Sequence, residues 1–160
     1  MPNHAEDEAK AWDLMESIRI CMLTTQKGDM LRSRPMFAHI DIIAKKLYFL
    51  TDVTHHKDDE IEQAPSVCLA FADTENRKYV SVSGFASVSN DRQKIKYLWS
   101  SSAETWWDNA DDPSIRILTI TPTAAEYWDS PGAVVTTIKM LTATITGEKP
   151  DIGDNAKVDL

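Results

Sequence analysis

The stretch that decides the fold is YVSVSGFASVS, residues 79–89, in which two kinds of side chain alternate strictly. Small apolar side chains occupy one set of positions, and serine or aromatic side chains occupy the other. The apolar set is Val80, Val82, Ala86 and Val88. A period of two is typical of a β-strand with one face in a core and one toward solvent. Gly84 lies inside this strand and predicts a β-bulge or a close approach of another backbone segment.

Five further segments have the composition of strands and are separated by short turns. They are RICMLTT (19–25), MLRSRPMFAHIDII (30–43), KLYFLTD (46–52), PSVCLAFAD (65–73) and SIRILTITPTAAEYWD (114–129). The turn QKGD places Gly28 where a positive φ is needed. Short turns between strands indicate antiparallel pairing. With residues 79–89, these segments predict an α+β protein built on a six-stranded, closed or nearly closed antiparallel barrel.

Four segments predict helices that flank this sheet. Residues 4–18 have apolar side chains at helical spacing. A second helix is expected to begin near Thr54, and a third to cover residues 91–107. Residues 133–146 fit a helical stripe, although their threonines lower helix propensity. Residues 1–147 are expected to form a single domain, and the polar tail 148–160 is expected to be mobile.

Composition and charge limit the classes of protein to which the chain can belong. The chain has 160 residues and a formal net charge of −8. An acidic chain is not expected to bind nucleic acid, because a phosphate backbone is bound through clustered lysines and arginines. No segment is apolar enough to span a bilayer. The start, MPNHAEDEAKAW, lacks the basic and apolar regions of a signal peptide, so a cytoplasmic location and no membrane partner are expected.

The segment TDVTHHKDDEI, residues 51–61, has an unexpected order of charges. His56 and Lys57 fall at the start of the predicted helix, where the helix dipole favours acids. This order predicts a site for an anion such as a phosphate. The sequence is also compatible with a solvated lysine at a frayed helix start. A metal site would need more ligands than the pairs His55 with Asp59 or His56 with Glu60 provide, so no metal is predicted.

Two other features allow more than one interpretation. Arg32 and Arg34 share one face of a predicted strand and can be exposed edge charges, as the neighbouring Pro35 suggests. Alternatively, their guanidinium groups bind a phosphate or a heteroatom-rich ring. Tryptophans are concentrated between residues 99 and 128, where they either pack in a core or interface or form a wall beside a flat cofactor. No serine or cysteine nucleophile motif is present, and the catalytic residues are not predicted.

Four segments, in this order, resemble those of a known family. They are RSRPM (32–36), LYFLTDVTHHKDDEI (47–61), YVSVSGFASVS (79–89) and PTAAEYWDSPG (122–132). With them the chain resembles the pyridoxamine 5'-phosphate oxidase-like flavoproteins, and within these the general stress protein 26-like group. The resemblance extends over about residues 8 to 132.

The resemblance implies a Greek-key split β-barrel that forms a homodimer, with FMN bound at the subunit interface. Arg34 is expected to contact the flavin, and the backbone at Pro35 and Met36 to lie along its ring. Leu50 and Thr51 are expected to line the same site.

The remaining cofactor-binding residues implied by the resemblance lie elsewhere in the chain. His56 and Lys57 are expected to hold the FMN phosphate, and Trp128 to approach the flavin of the partner subunit. Tyr79 stands where true pyridoxamine phosphate oxidases have a glutamine. The Arg and His motif that holds the substrate phosphate in those oxidases is missing after Trp128, so that activity is not expected.

The function implied is an FMN-dependent oxidoreductase that acts on a small substrate with a small-molecule electron donor. One alternative is a non-catalytic flavin-binding module, acting as a carrier or sensor in a stress response. The other is a related barrel that uses FAD or a deazaflavin.

Overall fold

The computed structural model describes residues 3–55, 57–131, 133–150 and 153–160. Over these residues the chain is an α+β protein with one antiparallel sheet. The helices are α1 (His4–Ile18), α2 (Lys57–Gln63), α3 (Arg92–Leu98) and α4 (Ala133–Thr146). The strands are β1 (Ile20–Lys27), β2 (Met30–Phe37), β3 (His39–Asp41), β4 (Lys46–Asp52), β5 (Ser66–Asp73), β6 (Lys78–Ser89), β7 (Ile115–Asp129) and β8 (Asp154–Asp159). Short 3₁₀ turns cover Val53–His55 and Ala103–Thr105.

The sheet confirms the predicted α+β class and antiparallel pairing. The strand order is β2-β1-β5-β6-β7-β4-β3, and β8 pairs with β7 off this path. Within the described residues, the path ends at β2 on one side and β3 on the other, so hydrogen bonding does not close the barrel. The described strands number eight instead of the expected six, because one predicted strand is divided and the tail contributes another.

The predicted strand over residues 30–43 is divided at Ala38. Before Ala38, β2 pairs with β1, and after it β3 pairs with β4. The Ala38 backbone N–H donates to the Arg19 carbonyl at 2.8 Å, and the residue is fully buried. The prediction of one continuous strand was therefore wrong, because the chain changes its pairing partner at this residue.

The C-terminal tail was predicted to be mobile, and this is wrong for Asp154–Asp159. These residues form β8 and pair with β7 from Asp129↔Asp154 to Ala124↔Asp159. Val158 is buried in the main core, and Lys10 Nζ of α1 lies 2.6 Å from Asp154 Oδ2. Backbone pairing and one buried side chain hold a polar segment on the sheet.

The helix predicted over residues 91–107 is shorter than expected. α3 ends at Leu98, and Trp99 has an extended backbone conformation. Three serines follow, a residue type that is less favourable in a helix interior than alanine or leucine. The Ser100 and Ser102 hydroxyls are hydrogen-bonded to each other, with their Oγ atoms 2.8 Å apart. The Ala103–Thr105 turn follows, and Trp107 after it packs against the cluster that includes Ile95 and Leu98 of α3.

The helix predicted near the C-terminus is present as α4. Its threonine hydroxyls donate to carbonyls one turn earlier, as in the 3.0 Å bond from Thr142 to Ile138, which satisfies these hydroxyls within the helix. Several apolar side chains of α4, including Leu141 and Ile145, are exposed. None of the helices in the described part of the chain combines the length and apolar character that crossing a membrane requires.

The main core lies between α1 and the inward face of the sheet. The alternation predicted for residues 79–89 is confirmed, because Val80, Val82 and Ala86 are buried while Ser83 and Phe85 are exposed. A smaller second cluster lies where α3 covers the start of β7. It contains Ile95, Leu98, Ile115 and Ile117.

Gly84 has the role predicted for it. The β6–β7 register shifts between Ser83 and Gly84. A Cβ atom on Gly84 would lie 2.5 Å from the Thr121 carbonyl oxygen and 2.9 Å from Pro122 Cα. These are backbone atoms, so Gly84→Ala is expected to lower the free energy of unfolding by about 1–3 kcal/mol. Chemical denaturation followed by circular dichroism measures this, and Ser83→Ala, at the exposed neighbouring position, is the control. Equal stability of the two variants would contradict the close approach.

Candidate functional site

A cleft of about 320 Å³ opens between β2, the end of β4 and the segment that follows α3. Residues from these three parts of the chain and His39 of β3 line it. They are Pro35, Met36, Phe37, His39, Leu50, Thr51, Asp52, Ser102, Ala103, Trp106 and Trp107. Four of the residues predicted to bind a cofactor, Pro35, Met36, Leu50 and Thr51, thus come together in one cleft although 14 to 16 positions separate the two pairs.

The end of β4 leads from the cleft into the segment predicted to bind phosphate. Thr51 is buried, and Asp52 Oδ1 accepts a hydrogen bond from the Thr54 backbone N–H at 2.9 Å. This bond turns the chain into the 3₁₀ turn that precedes α2. His56 lies outside the described residues. Lys57 is the first residue of α2, and its side chain lies outside the described part of the structure, so both phosphate-binding residues stay predictions.

Aromatic side chains form one wall of the cleft. Trp106 is 76% exposed, and Trp107 is half-buried against the second cluster. Exposure of so large an apolar ring is costly for an isolated chain and is typical of a surface that receives a ligand or a partner. Of the two interpretations of the tryptophans, the wall fits Trp106, whereas Trp99 packs against the second cluster.

His39 lines the cleft and was not predicted from the sequence. Burial, and then the nearby Arg19 guanidinium, lower the pKa of the His39 imidazole, which favours its neutral form near pH 7. Its ring meets the Phe37 ring edge-on, with centroids 5.3 Å apart. Pro35, Phe37 and His39 alternate along the chain, so a period of two could have placed His39 on the same face.

Arg34 is on the predicted strand but does not line the cleft. Its Nη1 donates to Thr25 Oγ1 at 2.8 Å, and its Nη2 donates to Glu60 Oε2 at 3.0 Å. Arg32 Nη1 donates to Glu60 Oε1 at 2.8 Å. The two arginines share a face, as the sequence predicted, but they meet a buried carboxylate that it did not indicate. The predicted contact between Arg34 and a flavin stays a prediction.

The Glu60 carboxylate carries its negative charge in a protected position. Burial raises the pKa of Glu60, but the hydrogen bond from Thr25 and the charges of Arg34 and Arg32 together outweigh it and hold the pKa below its ordinary value. Both Glu60 oxygens accept hydrogen bonds in this network, so the network already uses one member of the His56–Glu60 pair. Among the residues the structure describes, no group of three or more His, Cys, Asp or Glu side chains could hold a metal ion.

Tyr79 and Trp128 lie away from the cleft of their own chain. They are opposite one another on β6 and β7, and neither is among the lining residues. The Trp128 side chain is partly exposed. The structure thus separates these two predicted site residues from the four in the cleft, and their cofactor-binding roles stay predictions, that of Trp128 at the flavin of a partner subunit.

Comparisons with known proteins agree with this architecture. Residues 6–151 match the family described as pyridoxamine 5'-phosphate oxidase like. General stress protein 26 of Bacillus subtilis (strain 168) is 32% identical over 127 residues, covering 75% of this chain and 86% of that protein.

Solved structures with similar folds include the following two. The first is a protein assigned as general stress protein 26 from Jannaschia sp. CCS1, with a TM-score of 0.82, 26% identity and coverage of 99% of this chain and 100% of that chain. The second is the general stress FMN/FAD binding protein of Xanthomonas citri, with a TM-score of 0.68, 24% identity and coverage of 78% of this chain and 89% of that chain. The family match over most of the chain, together with the Bacillus relative, leads to one conclusion: the chain belongs to the pyridoxamine 5'-phosphate oxidase-like family.

Proposed function

We propose that the chain binds FMN in the cleft between β2 and β4 and acts as an FMN-dependent oxidoreductase on a small substrate. The observation that carries this proposal is the convergence of Pro35, Met36, Leu50 and Thr51 on one cleft, in a member of this family. The name of the Xanthomonas citri protein, which states FMN/FAD binding, supports the choice of a flavin.

The residues of the cleft fit a flavin. The volume of the cleft falls within the range of about 300–1,000 Å³ that is usual for small-molecule sites. The residues that line the cleft are mainly apolar and aromatic. Residues of β2 and the Trp106 indole both line the cleft, so both would contact a flat ring bound there. Asp52, Ser102 and His39 add polar groups at the same cleft. Lys57 and His56 would hold the phosphate, and Arg34 would contact the flavin.

When bound, FMN would supply hydride and electron transfer, while the protein would supply binding, orientation and electrostatics. β2 and β4 present rigid backbone along the cleft, which would fix the plane of a bound ring. Trp106 and Trp107 would cover apolar surface and exclude water from it. The largely neutral His39 imidazole could accept or donate a hydrogen bond there without adding a charge.

The test of this function is the absorption spectrum of the purified protein before and after incubation with FMN and desalting. Flavin bands that remain after desalting, with roughly one FMN per chain, are the expected result. A protein that stays colourless would overturn the proposal. Mass spectrometry of the released cofactor separates FMN from FAD or a deazaflavin.

A non-catalytic flavin carrier or sensor is the second candidate, and the stress-protein name of the Bacillus relative favours it. Anaerobic mixing of the flavin-loaded protein with NADH or NADPH distinguishes the two candidates. Faster bleaching of the bound flavin than of free FMN is expected of an oxidoreductase that uses these donors. Bleaching no faster than that of free FMN would favour the carrier.

Lys57→Ala is expected to weaken FMN binding by about 1.5–3 kcal/mol, the contribution of a hydrogen bond to a charged group. The measurement is a titration followed by flavin fluorescence. Lys27→Ala is the control, because it changes an exposed lysine at the end of β1, next to the turn into β2. An FMN dissociation constant unchanged by Lys57→Ala would mean that this lysine is only a solvated helix residue.

We also propose that the flavin lies at the interface of a homodimer. Trp128 does not line the cleft of its own chain, and apolar side chains are exposed where β1 and β2 pair, notably at Ile20, Met22 and Phe37. Contiguous exposed apolar surface is typical of interfaces. Light scattering is expected to give twice the mass of one chain. A monomer at concentrations at which FMN still binds would contradict this placement.

A further inference from the structure

The Glu60 carboxylate joins two parts of the chain that the proposed site needs together. Glu60 lies on α2 and is only 4% exposed. Its hydrogen-bond partners are Thr25 on β1 and Arg32 and Arg34 on β2. Of the α2 side chains that the structure describes, those of residues 60–63, Glu60 alone makes an ion pair with the β1–β2 hairpin.

The contacts form a closed ring of hydrogen bonds. Thr25 Oγ1 donates to Glu60 Oε2 at 2.8 Å and accepts from Arg34 Nη1 at 2.8 Å, while Arg34 Nη2 reaches Glu60 Oε2 at 3.0 Å. Arg32 Nη1 binds the other oxygen, Oε1, at 2.8 Å. A carboxylate held from two sides leaves little freedom for the helix turn that carries it.

The same elements carry the two ends of the proposed cofactor site. Lys57 precedes Glu60 by three residues on α2, a rise of about 4.5 Å along the helix. Met36 follows Arg34 by two residues on β2 and lies in the cleft. The position of α2 relative to β2 therefore sets the distance between the lysine and the cleft wall.

Stability alone does not account for a buried ionic network. A well-packed apolar group of similar volume is often as stabilising as a buried ion pair, because burial of the charges costs so much. Charged hydrogen bonds do, however, fix the relative position of the two groups, since a guanidinium donates well to a carboxylate only over a narrow range of positions. The network is thus better suited to fixing α2 on the hairpin than to holding the fold together.

We propose that Glu60 is a positioning residue for cofactor binding, which fixes α2 against β2 so that one FMN can reach the phosphate-binding residues and the cleft wall at once. This inference rests on the proposed function. The positioning role concerns the affinity for a ligand that carries a phosphate at one end and a ring at the other. Glu60 itself does not contact the flavin in this proposal.

The test compares FMN with riboflavin, which has the same ring but no phosphate, in the full-length Glu60→Gln variant. Glutamine keeps the size of the side chain and removes its charge. FMN affinity is expected to fall about tenfold or more, the scale of a lost charged hydrogen bond, and riboflavin affinity to fall by much less. Glu62→Gln, on the same helix but exposed, is the control and should change neither.

Hydrogen exchange of the cofactor-free protein gives a second readout. Glu60→Gln is expected to speed exchange of the α2 amides while those of β6 keep their wild-type rates. Equal losses of FMN and riboflavin affinity, or unchanged exchange in α2, would overturn the positioning role. A wild-type protein that binds neither flavin would instead overturn the proposed function, and the exchange rates of α2 would then decide whether Glu60 fixes the helix.

Discussion

Glu60→Ala is expected to lower the free energy of unfolding of the cofactor-free protein by about 3 kcal/mol, near the lower end of the range for breaking a buried ion pair. The change leaves the guanidinium of Arg34, whose side chain is only 17% exposed, without its carboxylate partner. The Thr25 hydroxyl, which is also buried, loses its acceptor. Arg32 is 47% exposed and can turn toward water, which keeps the loss from being larger.

Chemical denaturation at a fixed protein concentration, followed by circular dichroism, measures this loss. Glu62→Ala is the matched control, because Glu62 is a glutamate on the same helix with an exposed side chain. A surface change of this kind is expected to alter stability by no more than about 0.5 kcal/mol. Similar losses for the two variants would show that the Glu60 network adds nothing beyond ordinary helix propensity.

The same carboxylate predicts how stability changes in acid. Because the folded-state pKa of Glu60 is below its ordinary value, the unfolded chain binds a proton at this residue more readily than the folded one. The stabilisation is therefore fully present above the unfolded pKa, about 4.3, and is lost as the pH falls through the lower folded pKa. The stability difference between wild type and Glu60→Gln should be constant near neutrality and shrink below about pH 4. A difference that grows in acid would reverse this sign.

The parts of the fold that the sequence predicted are those in which local pattern and tertiary packing agree. In β6 the side chains that point into the core are apolar, those of Val80, Val82 and Ala86, and they follow the period of two that the sequence showed. The bulge or close approach at Gly84 was predicted from a glycine inside a strand, and β7 does come so close there that a Cβ atom would not fit. Leu50 and Thr51 were placed at the site through the resemblance, and the cleft brings them beside Pro35 and Met36.

The parts that the sequence did not predict depend on contacts between distant residues. The division of the strand at Ala38 depends on which neighbour each half pairs with, and that information lies on β1 and β4. β8 is polar, and it pairs with β7, which lies about 30 residues earlier in the chain, so its own sequence did not indicate a strand. Glu60 lies 26 residues beyond Arg34 in the chain, so no periodic pattern could link the two.

Phe49→Ala is expected to lower the free energy of unfolding by about 3–5 kcal/mol, because a large side chain is removed from a packed core. Phe49 lies in the middle of β4, is fully buried, and pairs across the sheet with Leu118 of β7. The cavity left by the missing phenyl ring would lie on the core side of β4, the strand that also carries Leu50 and Thr51 to the cleft.

The matched control is Phe85→Ala, in which the phenylalanine is 54% exposed on the opposite face of β6 from the core. Denaturation of both variants at the same protein concentration should show a loss for Phe85→Ala of less than about 1 kcal/mol. Comparable losses would contradict the placement of Phe49 in the core. Phe49→Leu keeps most of the buried volume and should lose much less stability than Phe49→Ala. If FMN affinity falls for Phe49→Ala but is retained in Phe49→Leu, the shape of the cleft depends on packing behind β4, because neither substitution changes a residue that lines it.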